Sequence, residues 1–229
     1  MVKLIALLLL SMAFSCKPSS MNDPDTATNG FSYLALGDSY TIGESVSVAD
    51  RWCVQLAVLL SKQKITTAAP NIIAQTGWTT AELADGIAAA KNTKQYDLVS
   101  LLIGVNNQYR GQSTERYRTE FRELLRTAIA YAKGRPDRVF VLSTPDWGVT
   151  PFAAGRNAAK IGAEIDAFNA VARSECERVS VVFVDITAQS RLGLGDATMI
   201  AKDGLHFSGK MYQLWAAAAL PVVAKLLEK

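Results

Sequence analysis

The sequence predicts an α/β fold, a five-stranded parallel sheet held between two helix layers, on three observations. Short apolar runs and amphipathic stretches alternate about five times from residue 31 to the C-terminus, the order expected of βαβ units. The clearest run, residues 97–103, is nearly continuous in Leu98, Val99, Leu101, Leu102 and Ile103, which fits a strand covered on both faces. The 229 residues are 49% hydrophobic, enough to bury a substantial core in one domain, and the interior has no repeat or low-complexity segment.

The elements follow in order. Residues 31–36 form the first strand, which breaks into Gly37-Asp38-Ser39-Tyr40-Thr41. Residues 49–62 place Trp52, Leu56, Leu59 and Leu60 on one helical face. A short strand at 71–74 runs into a loop containing Gly77 and Trp78, with a capping Thr before a helix over 81–90. The strand at 97–103 stops at Gly104-Val105-Asn106-Asn107. A long charged amphipathic helix over 113–133 ends at Gly134 and Pro136. A strand at 138–142 exits into a loop with Asp146, Trp147 and Phe152; a helix at 157–178 and a strand at 179–185 make another unit. An apolar helix over 209–227 closes the chain. Right-handed crossovers gather the strand exits at one edge, which brings Ser39, Gly77, Asn106 and the Asp146 loop together.

Composition narrows the partners. The net charge of +3, or +2 once the first fifteen residues and their only charge, Lys3, are set aside, is too small and too scattered for a nucleic-acid surface. Residues 1–15 read as a signal peptide, with a basic start and an apolar middle far shorter than the roughly 20 residues of a membrane span. Ala13-Phe14-Ser15 before Cys16 suits ordinary signal cleavage and is also similar to a bacterial lipobox, with Ala13 and Phe14 departing from that motif. Lipidation at Cys16 is the preferred reading, because residues 16–30 look like a polar tether; the folded domain is then 31–229 and the protein is exported, touching membrane only through that anchor. Cys53 and Cys176 lie in helical patterns and read as buried, inert thiols.

A hydroxyl at a strand exit is a candidate nucleophile, although Gly-Asp-Ser is equally a common turn. Serine needs a base to take its proton, and His206 is the only histidine in the chain. Asp203, three residues earlier in a Gly-containing loop, is spaced to hold the other ring nitrogen. The Ser39 N–H, the Gly77 N–H and the Asn106 side chain are candidate donors for a developing oxyanion, although taken singly Gly77 reads as a plain turn and Asn106 as a helix cap. Asp38 reads as a turn brace, Asp185 as a cap and Glu44 as solvated. Nothing has the spacing of a zinc site or a phosphate-cradling loop, so no metal or cofactor is expected.

The blocks Gly37-Asp38-Ser39-Tyr40, Gly77, Gly104-Val105-Asn106-Asn107 and Asp203-Gly204-Leu205-His206, in that order, resemble the SGNH hydrolases, also called the GDSL esterase and lipase family. The resemblance runs from about residue 31 to the C-terminus. It implies a flavodoxin-like α/β/α sandwich, with Ser39 as nucleophile, His206 as general base then acid, Asp203 orienting His206, and an oxyanion hole from Ser39, Gly77 and Asn106. Two departures stand out: Asn107 replaces the family's usual Asp and carries no charge, and Tyr40-Thr41 replaces the usual Leu-Ser. The expected activity is hydrolysis of carboxylic esters, such as acetylated glycans or lysophospholipids, through an acyl-enzyme. An acyltransferase using the same triad, and a carbohydrate- or nucleotide-binding protein of the same fold, are the alternatives; the second leaves the Ser39, Asp203 and His206 set unexplained. Trp78, Trp147 and Phe152 fall in loops near the mouth, fit either to meet substrate or to pack over the core.

Overall fold

A computed structural model describes residues 30–228; residues 1–29, and with them the expected signal peptide, Cys16 and all but the last residue of the tether, lie outside the described residues. The elements are β1 (Tyr33–Gly37), α1 (Ser39–Ile42), α2 (Trp52–Lys62), β2 (Asn71–Ala74), α3 (Thr80–Ala90), β3 (Leu98–Leu102), α4 (Val105–Tyr109), α5 (Thr114–Tyr131), β4 (Val139–Leu142), α6 (Ala158–Arg178), β5 (Val182–Val184), α7 (Thr187–Arg191) and α8 (Gly209–Leu227). Every strand pairing is parallel, and the sheet order is β2-β1-β3-β4-β5. Among the described residues no helix is long and apolar enough to cross a membrane.

The three layers follow from the two-residue period of the strands. Tyr33 and Ala35 of β1, Leu98 and Leu102 of β3 and Phe140 of β4 point to one face, where Trp52 and Leu56 of α2 and Met211, Tyr212 and Trp215 of α8 cover them. Leu34, Leu36, Val99, Leu101 and Val141 point to the other, against Leu83 of α3, Phe121 and Leu124 of α5 and Phe168 of α6. With helices on both faces, the central strands are buried along their whole length, which is why their sequences are apolar without alternation.

Helix starts are set by side-chain caps: Thr79 and Glu82 form a reciprocal capping box on α3, while Ser113, Asn157 and Ser208 cap α5, α6 and α8. Three expectations shift. Helical backbone expected from residue 49 starts at Trp52, because Val48–Asp50 is a 3-10 turn and Arg51 is extended. The strand expected over 179–185 shrinks to Val182–Val184, since Val179 closes α6 and Ser180 turns at φ +58°. Short α4 and α7 stand where no helix was expected.

The order β2-β1-β3 decides where a ligand binds. After β2 the chain crosses back over β1, so consecutive connections leave β1 and β3 on opposite faces and open a crevice between their carboxyl ends. Gly37 ends β1 and Leu102 ends β3, paired in register, so the segments that follow them line that crevice.

Candidate active site

Ser39 is the first residue of α1, directly after β1. The strand-to-helix turn is so tight that a Cβ on Gly37 would sit 2.3 Å from the Thr41 hydroxyl and 2.5 Å from the Leu102 carbonyl; only glycine fits. Asp38 caps α1, its Oδ1 accepting from the Tyr40 N–H at 3.0 Å, which is the bracing role expected of it. Its other oxygen is buried without a hydrogen-bond partner among the described residues, and burial pushes the carboxyl up to about 7 against the opposing backbone bond from Tyr40. As the first residue of a helix, Ser39 has an N–H with no intrahelical acceptor.

His206 and Asp203 sit in the loop before α8. Asp203 Oδ2 lies 2.7 Å from His206 Nδ1, and its Oδ1 accepts from the backbone N–H groups of Leu205 and His206, both at 2.9 Å. The hydroxyl of Ser45 donates to Oδ2 at 2.6 Å. Burial works to raise the Asp203 carboxyl, but the bonds from Ser45, Leu205 and His206 outweigh it and hold it well below the usual carboxylate range. A charged Asp203 assigns the proton of the neutral ring to Nδ1 and leaves Nε2 as an acceptor. The Tyr40 ring meets His206 edge-on at 5.7 Å, and Phe207 anchors the loop in the core.

Gly77, in the turn between β2 and α3, adopts φ +87°, a conformation rather than a crowding requirement, since a Cβ there would meet nothing closer than 3.9 Å. Its carbonyl accepts from Arg110 Nη2 at 2.7 Å, and Arg110 Nη1 reaches Glu82 at 3.0 Å. Asn106, in α4, gives one amide N–H to the Trp78 carbonyl at 2.9 Å, and its second amide N–H has no partner among the described residues. The next residue, Asn107, is fully buried: its Oδ1 accepts from the Thr80 N–H at 3.1 Å, while its amide donates to the Thr80 hydroxyl at 2.6 Å and to Gln112 at 2.8 Å. A carboxylate has no proton for the last two bonds, so the neutral side chain suits this surrounding.

Ser39, Gly77, Asn106 and His206 line one cleft of about 230 Å³, with Asp203 behind the imidazole. All five sequence-derived positions thus converge on the β1/β3 crevice. Of the three loop aromatics, Trp147 and Phe152 line the cleft, joined by Tyr109, while Trp78 lies across Gly86 of α3. Glu44 is not freely solvated as expected: it is half-buried and accepts the Thr76 hydroxyl at 2.5 Å, since the turn after α1 folds against the Gly77 loop. Asp185 caps the backbone of Thr187 at 2.9 Å. Cys53 and Cys176 are free and buried, and burial pushes both thiols up to about 12. Sequence reasoning missed Ser45, Arg110 and Tyr109. Only the proximity of Tyr109 and Arg110 to Asn106 offered a clue; Ser45 lies 158 positions from its partner.

The family model described as GDSL-like lipase/acylhydrolase matches residues 35–214. No curated protein sequence matches the chain. Among solved structures, TesA aligns at TM-score 0.66 with 17% identity, over 85% of this chain and 99% of its own. The psychrotrophic esterase EstA from Pseudoalteromonas sp., in a form inhibited by monoethylphosphonate, gives 0.66 and 14%, over 86% and 99%. Axe2, an acetylxylan esterase from Geobacillus stearothermophilus, gives 0.66 and 18%, over 85% and 94%. At these identities the structures share the fold, and the family match covers most of the chain. The protein therefore belongs to the GDSL-like lipase/acylhydrolase family and is a GDSL-type ester hydrolase.

Proposed function

We propose that the chain hydrolyses short-chain carboxylic esters through an acyl-enzyme on Ser39. The observation that carries this reading is the Asp203–His206 pair, bonded at 2.7 Å, with His206 and Ser39 lining the same cleft. His206 Nε2 takes the Ser39 proton as Oγ attacks the carbonyl carbon, and the oxygen that becomes negative is met by the N–H groups of Ser39 and Gly77 and the free amide N–H of Asn106. The imidazolium, balanced by the charged Asp203, then protonates the departing alcohol. Water, deprotonated by the same nitrogen, releases the acid and frees Ser39.

A cleft of about 230 Å³ walled by Tyr109, Trp147 and Phe152 favours small acyl groups, with acetyl esters of sugars a better match than long-chain lysophospholipids. Export fits the N-terminal sequence: residues 1–15 are removed, Cys16 is lipidated and residues 16–30 tether the domain of residues 31–229. Replacement of Cys16 by Ala is expected to move the protein from the detergent phase to the aqueous phase on detergent partitioning; unchanged partitioning contradicts the anchor.

The catalytic reading is tested with 4-nitrophenyl acetate. Ser39→Ala and His206→Ala are each expected to lower kcat/KM by about a thousandfold or more, since a triad works as a unit. Near-wild-type turnover by either variant overturns it.

A further inference from the structure

The catalytic cleft shares Tyr109 and Trp147 with a second, more open cavity of about 430 Å³ that extends to Arg156 and Lys160. We infer that this cavity is a subsite for an anionic oxygen group, carboxylate or phosphate, carried on the alcohol side of the ester and recognised by Arg156. The inference rests on the serine-esterase reading and adds the class of substrate.

Arg156 is seated rather than loose. Its guanidinium carbon lies 5.0 Å from the ring centroid of Phe152, 5.4 Å from Trp147 and 5.5 Å from Tyr109, the same three rings that wall the cleft. The rings pack on one another, and Trp147 is pinned by its indole N–H to Gln108 at 2.8 Å. A guanidinium resting on ring faces keeps its N–H donors for another group, and a planar carboxylate or a phosphate matches their geometry.

Among the described residues no carboxylate pairs with Arg156, whereas Arg110 is held by Glu82 and Arg191 by Asp146 and Asp166. The remaining charges in the cavity are Lys160 and Glu164; Glu164 is occupied, accepting from Gln108 at 2.7 Å and facing Lys160 at 3.6 Å. Arg156 also directly precedes Asn157, the cap of the 21-residue helix α6, so the positive end of that helix adds to the same field. The placement on the alcohol side follows from size. The compact cleft beside Ser39 has room for a short acyl group, leaving the alcohol as the portion long enough to pass Tyr109.

The test compares kcat/KM within two pairs of acetyl esters at low ionic strength: acetylated glucuronate against acetylated glucuronamide, and acetylglycerol phosphate against glycerol monoacetate. The wild-type enzyme is expected to favour the anionic member of at least one pair by about tenfold, mainly through KM and less so as salt rises. Arg156→Met is expected to bring the ratio near one and Arg156→Glu to invert it; the pair that responds tells carboxylate from phosphate. Equal turnover within both wild-type pairs, or an anionic preference that survives Arg156→Glu, overturns the subsite. A preference for a hemisuccinate over an acetate of one neutral alcohol overturns its placement on the alcohol side. Failure of the underlying reading has a separate signature, undiminished hydrolysis of the neutral esters by Ser39→Ala.

Discussion

Asp38 and Ser39 are neighbours in a buried turn, yet their surroundings give them opposite tasks. Ser39 lines the cleft, whereas Asp38 has one oxygen on the Tyr40 N–H and the other without a partner among the described residues. A carboxyl pushed up to about 7 keeps a proton in the folded chain that the unfolded chain has already released, so folding stability falls as pH rises through the window from about 4 to 7. Asp38→Asn removes that titration; its Tm is therefore expected to gain on the wild type steadily across this window, as thermal melts at successive pH values would read. A Tm difference independent of pH contradicts the assignment. The candidate residues themselves were legible where chemistry is local. His206 is the only imidazole in the chain, and Asp203 reaches it across a three-residue turn. Ser45 and Arg156 were not legible, because what defines each is a contact made in the folded chain, with Asp203 in one case and with three aromatic rings in the other.

Between elements, the connection that matters most to the site runs from α4 to the start of α3. Arg110 follows α4 immediately, grips the Gly77 carbonyl and pairs with Glu82, which in turn closes the capping box with Thr79. The peptide that follows Gly77 is thereby tied to a helix cap, which steadies the turn carrying the Gly77 N–H. Arg110→Met is expected to lower kcat for 4-nitrophenyl acetate by about tenfold with little change in KM, less than the loss of an oxyanion donor itself, and Arg110→Lys to recover part of it. Equal losses in KM and kcat, or none, contradict this positioning role. The strands were readable as apolar runs and the long helices as periodic ones; the caps at Ser113, Asn157 and Ser208 that set their starts are contacts of the folded chain. Helix α4, five residues between Gly104 and Arg110, is too short to show a period, and α7 is equally brief.

At the level of the whole molecule, the sheet order β2-β1-β3-β4-β5 makes a site from distant segments. It puts the exits of β1 and β3 side by side, brings the turn after β2 against them and lets the loop before α8 reach over the gap. Alternation of strands and helices foretold the parallel sheet and its common edge, though not the neighbouring cavity, whose walls come from α4, the loop after β4 and the start of α6. The central claim is that this convergence makes Ser39 the nucleophile. The most direct measurement is the site of covalent labelling by a fluorophosphonate, read by mass spectrometry of the intact and digested protein. One adduct on Ser39, forming at least a hundredfold more slowly in His206→Ala, is the predicted result; no adduct, or one on another side chain such as Ser45, contradicts it.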